Sequence, residues 1–160
     1  MAINLNGLKA FPRTAALADF GITADVVVQP NSFGLVGTLT VLAQQVIGFG
    51  ANDVINGGLT GQAVYLALYN TSGVQITGRV RFVVSNAQGT KTQVVGEYRT
   101  ERLSADANDR NKAVLMPLQQ PLARQDDKLL IMLLPDGSSA VTIDYDGTNT
   151  EILIPITIYQ

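Results

Sequence analysis

The sequence feature that most constrains the fold is an apolar run in the last third of the chain. Residues 128–134 have the sequence KLLIMLL, and the turn residues Pro135-Asp136-Gly137 follow directly. Polar and apolar residues do not alternate in this run, so a strand built from it in an antiparallel protein is covered on both faces. We expect the domain core on one face. On the other we expect a helix, an N-terminal arm or another subunit.

Two other stretches show the pattern of strands that cover a core on one side. Residues 63–85 hold two runs rich in Val, Ile and Tyr on either side of turn residues at 70–73, which predicts a β-hairpin. In the second arm of this hairpin, apolar residues alternate with polar ones that include Arg79 and Arg81. The final run, 150–159, places its isoleucines on one face: Ile152, Ile154, Ile156 and Ile158.

The remaining segments predict further short strands joined by turns. Strands are expected at 22–29, 35–49, 90–103, 113–116 and 139–145, and connections at 50–61, 86–89, 104–112 and 119–127. Within 35–49 the apolar positions change parity near Gln44 and Gln45, which predicts either a bulge or two separate strands.

The strand at 90–103 carries most of the predicted surface charge. We expect Val94 and Tyr98 to face inward, with Val95 as a further inward candidate. Glu97 or Glu101 is expected to pair with the arginines of the preceding strand.

The first 21 residues differ from the rest because their apolar side chains show no strand alternation. Pro12 allows a short helix to begin, with one or two turns over 14–20. Phe11 and Phe20 require this arm to be buried, either on its own domain or on a neighbouring subunit. We therefore predict an N-terminal arm, residues 1–21, and a single β-sandwich domain, residues 22–160.

The tally of eight or nine strands and almost no helix predicts an all-β fold. Turns every 8–12 residues, with no fixed repeat and no linker, are typical of one antiparallel β-sandwich. The long irregular connections at 50–61 and 104–112 favour a jelly roll over an immunoglobulin-like sandwich.

Composition excludes several classes of function. The chain has 160 residues and contains no Cys, His or Trp. It therefore has no Ser-His-Asp triad, no thiol nucleophile and no metal site built from His or thiolate. Charged residues make up 15% of the chain, against about 25% in typical domains, and the net charge is −2. This predicts either a compact β-domain with many Thr, Ser, Asn and Gln on its surface, or a surface partly covered by copies or partners. It gives no basic excess for nucleic acid.

Four segments contain residue types that occur in functional sites, and each also fits an ordinary structural role. Residues 144–151 contain oxygen ligands suited to calcium, but without EF-hand spacing, and they also fit a turn. Asp126 and Asp127 supply half of the carboxylate pair that a glycosidase needs. The glycine-rich stretch 50–61 lacks the Lys-Ser/Thr ending of a phosphate-binding loop. Arg79 and Arg81 have no base-stacking aromatic residue on the same face of their own strand.

From these segments we predict no catalytic residue, no cofactor-binding residue, no metal-binding residue and no enzyme activity. A transmembrane helix is not expected, because no window approaches about 18 unbroken apolar residues.

Taken together, the compact β-sandwich pattern over 22–159, the apolar N-terminal arm, the low charge and the strand at 128–134 resemble the single-jelly-roll capsid proteins of icosahedral viruses. The resemblance implies a viral structural protein that self-assembles, as a homo-oligomeric coat protein, into the virion shell. It implies no cofactor. The implied partners are copies of the chain and other virion proteins, with no specific binding of nucleic acid; contact with a membrane stays open.

The alternatives are a capsid decoration or tail protein and a β-sandwich module that binds calcium or carbohydrate. Assembly of the chain on its own into shells, rather than onto preformed ones, distinguishes a coat protein from a decoration protein. Stabilisation by metal or glycan would identify a binding module.

Overall fold

The computed structural model describes residues 7–49, 65–67, 76–103, 122–144 and 151–160. These residues form eleven strands and one 3-10 helical turn, Leu17–Phe20. The strands are β1 (Ala10–Ala16), β2 (Val26–Val28), β3 (Gly34–Thr40), β4 (Val46–Phe49), β5 (Tyr65–Ala67), β6 (Ile76–Ser85), β7 (Thr92–Leu103), β8 (Leu122–Arg124), β9 (Lys128–Pro135), β10 (Val141–Ile143) and β11 (Glu151–Tyr159).

The pairing of the strands is that of a ribbon rolled on itself. The two arms of the ribbon are strands distant in sequence: β1 pairs with β11, β3 with β9, and β4 with β8. The hairpin of β6 and β7 forms the end of the ribbon. Pairing of β11 with β4 and of β9 with β6 then closes two sheets, β1-β11-β4-β8 and β3-β9-β6-β7. All described pairs are antiparallel. This nested order is a jelly roll, so the predicted fold class is confirmed.

The hydrophobic core lies between the two sheets. The second sheet contributes Leu129, Ile131 and Leu133 of β9, each fully buried. The first sheet contributes the alternating isoleucines of β11, all buried as predicted: Ile152, Ile154, Ile156 and Ile158. The small pair formed by β2 and β10 adds Val28, Val141 and Ile143 to the same cluster.

The N-terminal residues form an edge strand of the first sheet. β1 pairs with β11 over its whole length, from Ala10 opposite Tyr159 to Ala16 opposite Leu153. The expected helical turn follows as Leu17–Phe20, and the Asp19 carboxylate accepts a 2.8 Å hydrogen bond from the backbone N–H of Ala16. The described part of the expected arm therefore packs on its own subunit through Ala15 and Phe20, which are buried. Phe11 is 45% exposed, so the expectation that it is buried was wrong for this subunit. The division into residues 1–21 and 22–160 stays a prediction.

Two predictions about local pairing were wrong. The segment 63–85 is not a hairpin, because β5 pairs with β11 in the first sheet and β6 with β7 and β9 in the second. Residues 70–73, like the predicted connection 104–112 and the predicted strand 113–116, lie outside the described residues. The stretch 119–127 is more than a polar connector, because Leu122–Arg124 forms β8 and pairs with β4.

A register irregularity explains the reversed orientation of two valines in β7. Val83 of β6 pairs with Val94, whereas its neighbour Phe82 pairs with Gly96, so Val95 is an extra residue in the ladder. Val95 is buried and belongs to the core, whereas Val94 is 46% exposed. The expectation that Val94 faces inward was wrong for this reason, and the choice of Val95 is confirmed.

Two connections have the expected form. Residues 35–49 contribute two strands, β3 and β4, which lie in different sheets and are separated by Gln44 with a positive φ of 61°. The predicted turn at 86–89 joins β6 and β7, and Gly89 takes a left-handed φ of 72° there. Both the backbone carbonyl of Lys91 and its backbone N–H bond to Asn86, each at 3.0 Å.

Candidate interaction surface

The side of the second sheet that points away from the core is the main functional candidate. Burial alternates strictly along β9: Leu129, Ile131 and Leu133 are buried, while the residues between them are half-buried. The outward-facing residues of β9 are nevertheless apolar, because the run 128–134 does not alternate in sequence. We call this side of the sheet the outer face.

Neighbouring strands extend the apolar character across the outer face. Met132 of β9 pairs with Leu35 of β3, and Leu130 of β9 pairs with Val83 of β6. Val83 in turn pairs with Val94 of β7. The patch therefore reaches all four strands, and we define the apolar patch by six residues: Leu35, Val83, Val94, Leu130, Met132 and Leu134.

The exposure of the patch makes it a candidate surface for a partner. Leu35 is 50% exposed and Val94 is 46% exposed, at opposite edges of the sheet. Between them Val83 is buried, at 5% exposed, and Leu130, Met132 and Leu134 are half-buried, as expected for side chains flanked by neighbours in central strands. A contiguous apolar patch rimmed by polar residues is typical of an interaction site.

The rim consists of a charged corner on β6 and β7. Arg81 contacts Glu97 at 2.8 Å, and Arg79 lies 3.7 Å from the same carboxylate. Arg99 contacts Asp136 at 2.9 Å, and the Thr77 hydroxyl donates a short hydrogen bond to that carboxylate. The predicted pairing of Glu97 with the arginines of the preceding strand is confirmed.

The charged corner is neutralised largely within the subunit. Three arginines face two carboxylates, which leaves a single positive charge. Arg81 also lies over the ring of Phe33, 4.0 Å from its centroid, where the π system stabilises the cation. Pairs this exposed stabilise the fold by only about 0.2–1 kcal/mol each, so their main effect is to hold the arginines in place.

The other candidates from the sequence have structural roles or lie outside the described residues. Asp127 accepts a 2.9 Å hydrogen bond from the backbone N–H of Arg124, and Asp126 has a φ of 69°, so this acidic pair forms the turn between β8 and β9. Residues 50–61, and residues 145–150 of the possible calcium loop, fall outside the described part. Within that part, no group of three or more acidic residues is placed to hold a metal ion.

Two further features complete the survey of the described residues. No helix among them is long and apolar enough to cross a membrane. An open groove of about 460 Å³ runs beside the edge strand β3, between Val36–Thr38 and the segment 20–26. Among the residues that line the groove, Asp25 is the one with a charged side chain.

Comparison with known proteins identifies the fold. No protein-family model and no curated protein sequence matches the chain. Among solved structures, the chain is similar to VP17, a capsid protein of bacteriophage P23-77, with a TM-score of 0.62. The alignment covers 95% of this chain and 96% of VP17 at 8% sequence identity. At this identity the likeness shows the fold alone, which is the jelly roll seen in the strand pairing.

Proposed function

We propose that this chain is a viral structural protein, a coat subunit whose copies assemble into the shell of a virion. The observation that carries the proposal is the apolar patch on the outer face, in a jelly roll that shares its fold with a phage capsid protein. The outer face includes the side of β9 that points away from the core. The non-alternating sequence 128–134 predicted that this side is covered as well.

The low charge of the chain is one physical reason for assembly. With 15% charged residues and 46% hydrophobic residues, the chain has little polar material with which to cover its surface. Leu35 and Val94 are two large apolar side chains that this shortage of polar residues leaves exposed to water. A closed shell brings many copies into symmetric contact and removes such surface from water.

The proposed role places the protein in the virion, with copies of itself and other virion proteins as partners. It requires no cofactor and no catalytic side chain. The charged corner pairs its arginines with carboxylates of the same subunit, so it offers little free positive charge to a nucleic acid.

Electron cryo-microscopy of the purified protein tests this function. The proposal predicts closed shells or regular capsomer-like assemblies formed by the chain alone at high protein concentration. Particles formed only on preformed shells would identify a decoration protein instead. Discrete monomers at every concentration, with a melting temperature raised by calcium or by glycans, would replace the coat role with that of a binding module.

A further inference from the structure

We propose that the outer face is the surface on which a second copy of this chain docks, with sheet packed against sheet. This inference rests on the proposed function and names the contact surface that function requires. It concerns the four strands β3, β9, β6 and β7.

The shape of the patch selects a sheet as its partner. The patch crosses all four strands, from Leu35 on β3 to Val94 on β7, so it is a broad face. At about 4.8 Å between strands it is roughly 19 Å wide, wider than a single helix or one extended peptide. Two twisted sheets cover such faces by packing about 10 Å apart with their side chains interdigitated.

The size of the face meets the requirement of a specific contact. Four strands about 4.8 Å apart and about eight residues long, at about 3.3 Å per residue, give an outer face of roughly 500 Å², which includes the charged corner as well as the apolar patch. Two such faces bury about 1,000 Å² in total, which is the lower limit for a specific protein interface. A second copy supplies a face of equal area.

The charge of the face also favours a copy over a strongly charged partner. The patch residues carry no charge. Arg79 and Arg81 lie opposite Leu134 and Met132 in the β6–β9 ladder, but both contact Glu97, and Arg99 contacts Asp136, inside one subunit. An acidic peptide or a nucleic acid would have to compete with these pairs. The same face of a second copy is nearly neutral. It can therefore cover the apolar patch without breaking the ion pairs of the charged corner.

The absence of cysteine from the sequence makes the contact directly testable. Val94→Cys places a single thiol on the patch, and Leu42→Cys places a control thiol at an apolar position that is 64% exposed elsewhere. Each variant is labelled with a negatively charged thiol reagent across a range of protein concentrations, and its assembly is followed by sedimentation. Labelling reports access to the thiol.

The proposal predicts that labelling of Val94→Cys slows by about tenfold or more as larger species form, while labelling of Leu42→Cys changes less than about twofold. If larger species form while the Val94→Cys thiol is labelled as fast as in the monomer, this inference is overturned and the proposed function stands. Monomers at every concentration would overturn both.

Substitution of a patch residue by a charged one tests the docking surface independently of labelling. Leu35→Glu, at a half-exposed edge position, should leave a cooperative melt and prevent the larger species, whereas Leu42→Glu should assemble like the parent. Parental assembly by a folded Leu35→Glu variant would contradict the proposal.

Discussion

Adjacent residues of β9 should respond in opposite ways to the same substitution. Ile131 is fully buried and lies between Gly37 of β3 and Phe82 of β6. Met132 follows it in sequence and is half-buried on the outer face. We predict that Ile131→Asp abolishes folding and that Met132→Asp folds but does not assemble.

The magnitudes follow from burial. Removing a large buried aliphatic side chain costs about 2–5 kcal/mol, and a buried carboxyl group without a partner adds about 2–7 kcal/mol. Together these approach the whole stability of a typical domain, about 5–15 kcal/mol. Met132 is already partly in water, so its replacement costs about 1 kcal/mol, or about 2–4 °C in melting temperature for a chain of this size.

Thermal melts followed by circular dichroism, on dilute protein, measure both variants against the parent. Ile131→Asp should show no cooperative transition, and Met132→Asp should melt within a few degrees of the parent. A cooperative melt of Ile131→Asp near the parental temperature would refute the placement of the core. Equal damage from both substitutions would show that the outer face is sealed within a single subunit.

Three further predictions use the same melts. Gly78→Ala should destabilise the fold by about 1–3 kcal/mol, because the added Cβ would lie 2.8 Å from the Leu134 carbonyl oxygen. An unchanged melting temperature would contradict the pairing of β6 with β9 at this position. Glu97→Gln should change stability by less than about 1 kcal/mol, since its pairs with Arg79 and Arg81 are half exposed, and a larger loss would mean that the corner supports the fold. Ala15→Leu should cost about 1–3 kcal/mol because Ala15 is fully buried opposite Ile154; an unchanged melting temperature would indicate that β1 is a detached arm.

The sequence predicted features that depend on local pattern. The alternation of isoleucines along β11 identified its buried face, and the non-alternating run 128–134 identified a strand with two apolar sides. Both follow from the period of two that every strand has. The pairing of β5 and β6 could not be obtained in this way, because turn residues describe the connection and not the sheet that each arm joins.

The sequence pattern also could not show which residues form the apolar patch. Leu35 and Val94 are 59 positions apart in the chain and share the outer face only because β9 and β6 lie between their strands. The extra residue Val95 turns Val94 outward, against the simple alternation of β7. A shift of one residue in register reverses every side chain beyond it, and single-sequence patterns do not locate such shifts.

Sedimentation velocity of the purified chain measures whether copies of the chain cover its apolar outer face. We expect species whose masses are multiples of 17.0 kDa and whose share grows with protein concentration. These species should persist at about 1 M NaCl, because apolar contacts are not screened by salt. A single 17.0 kDa species at every concentration and salt would contradict the claim.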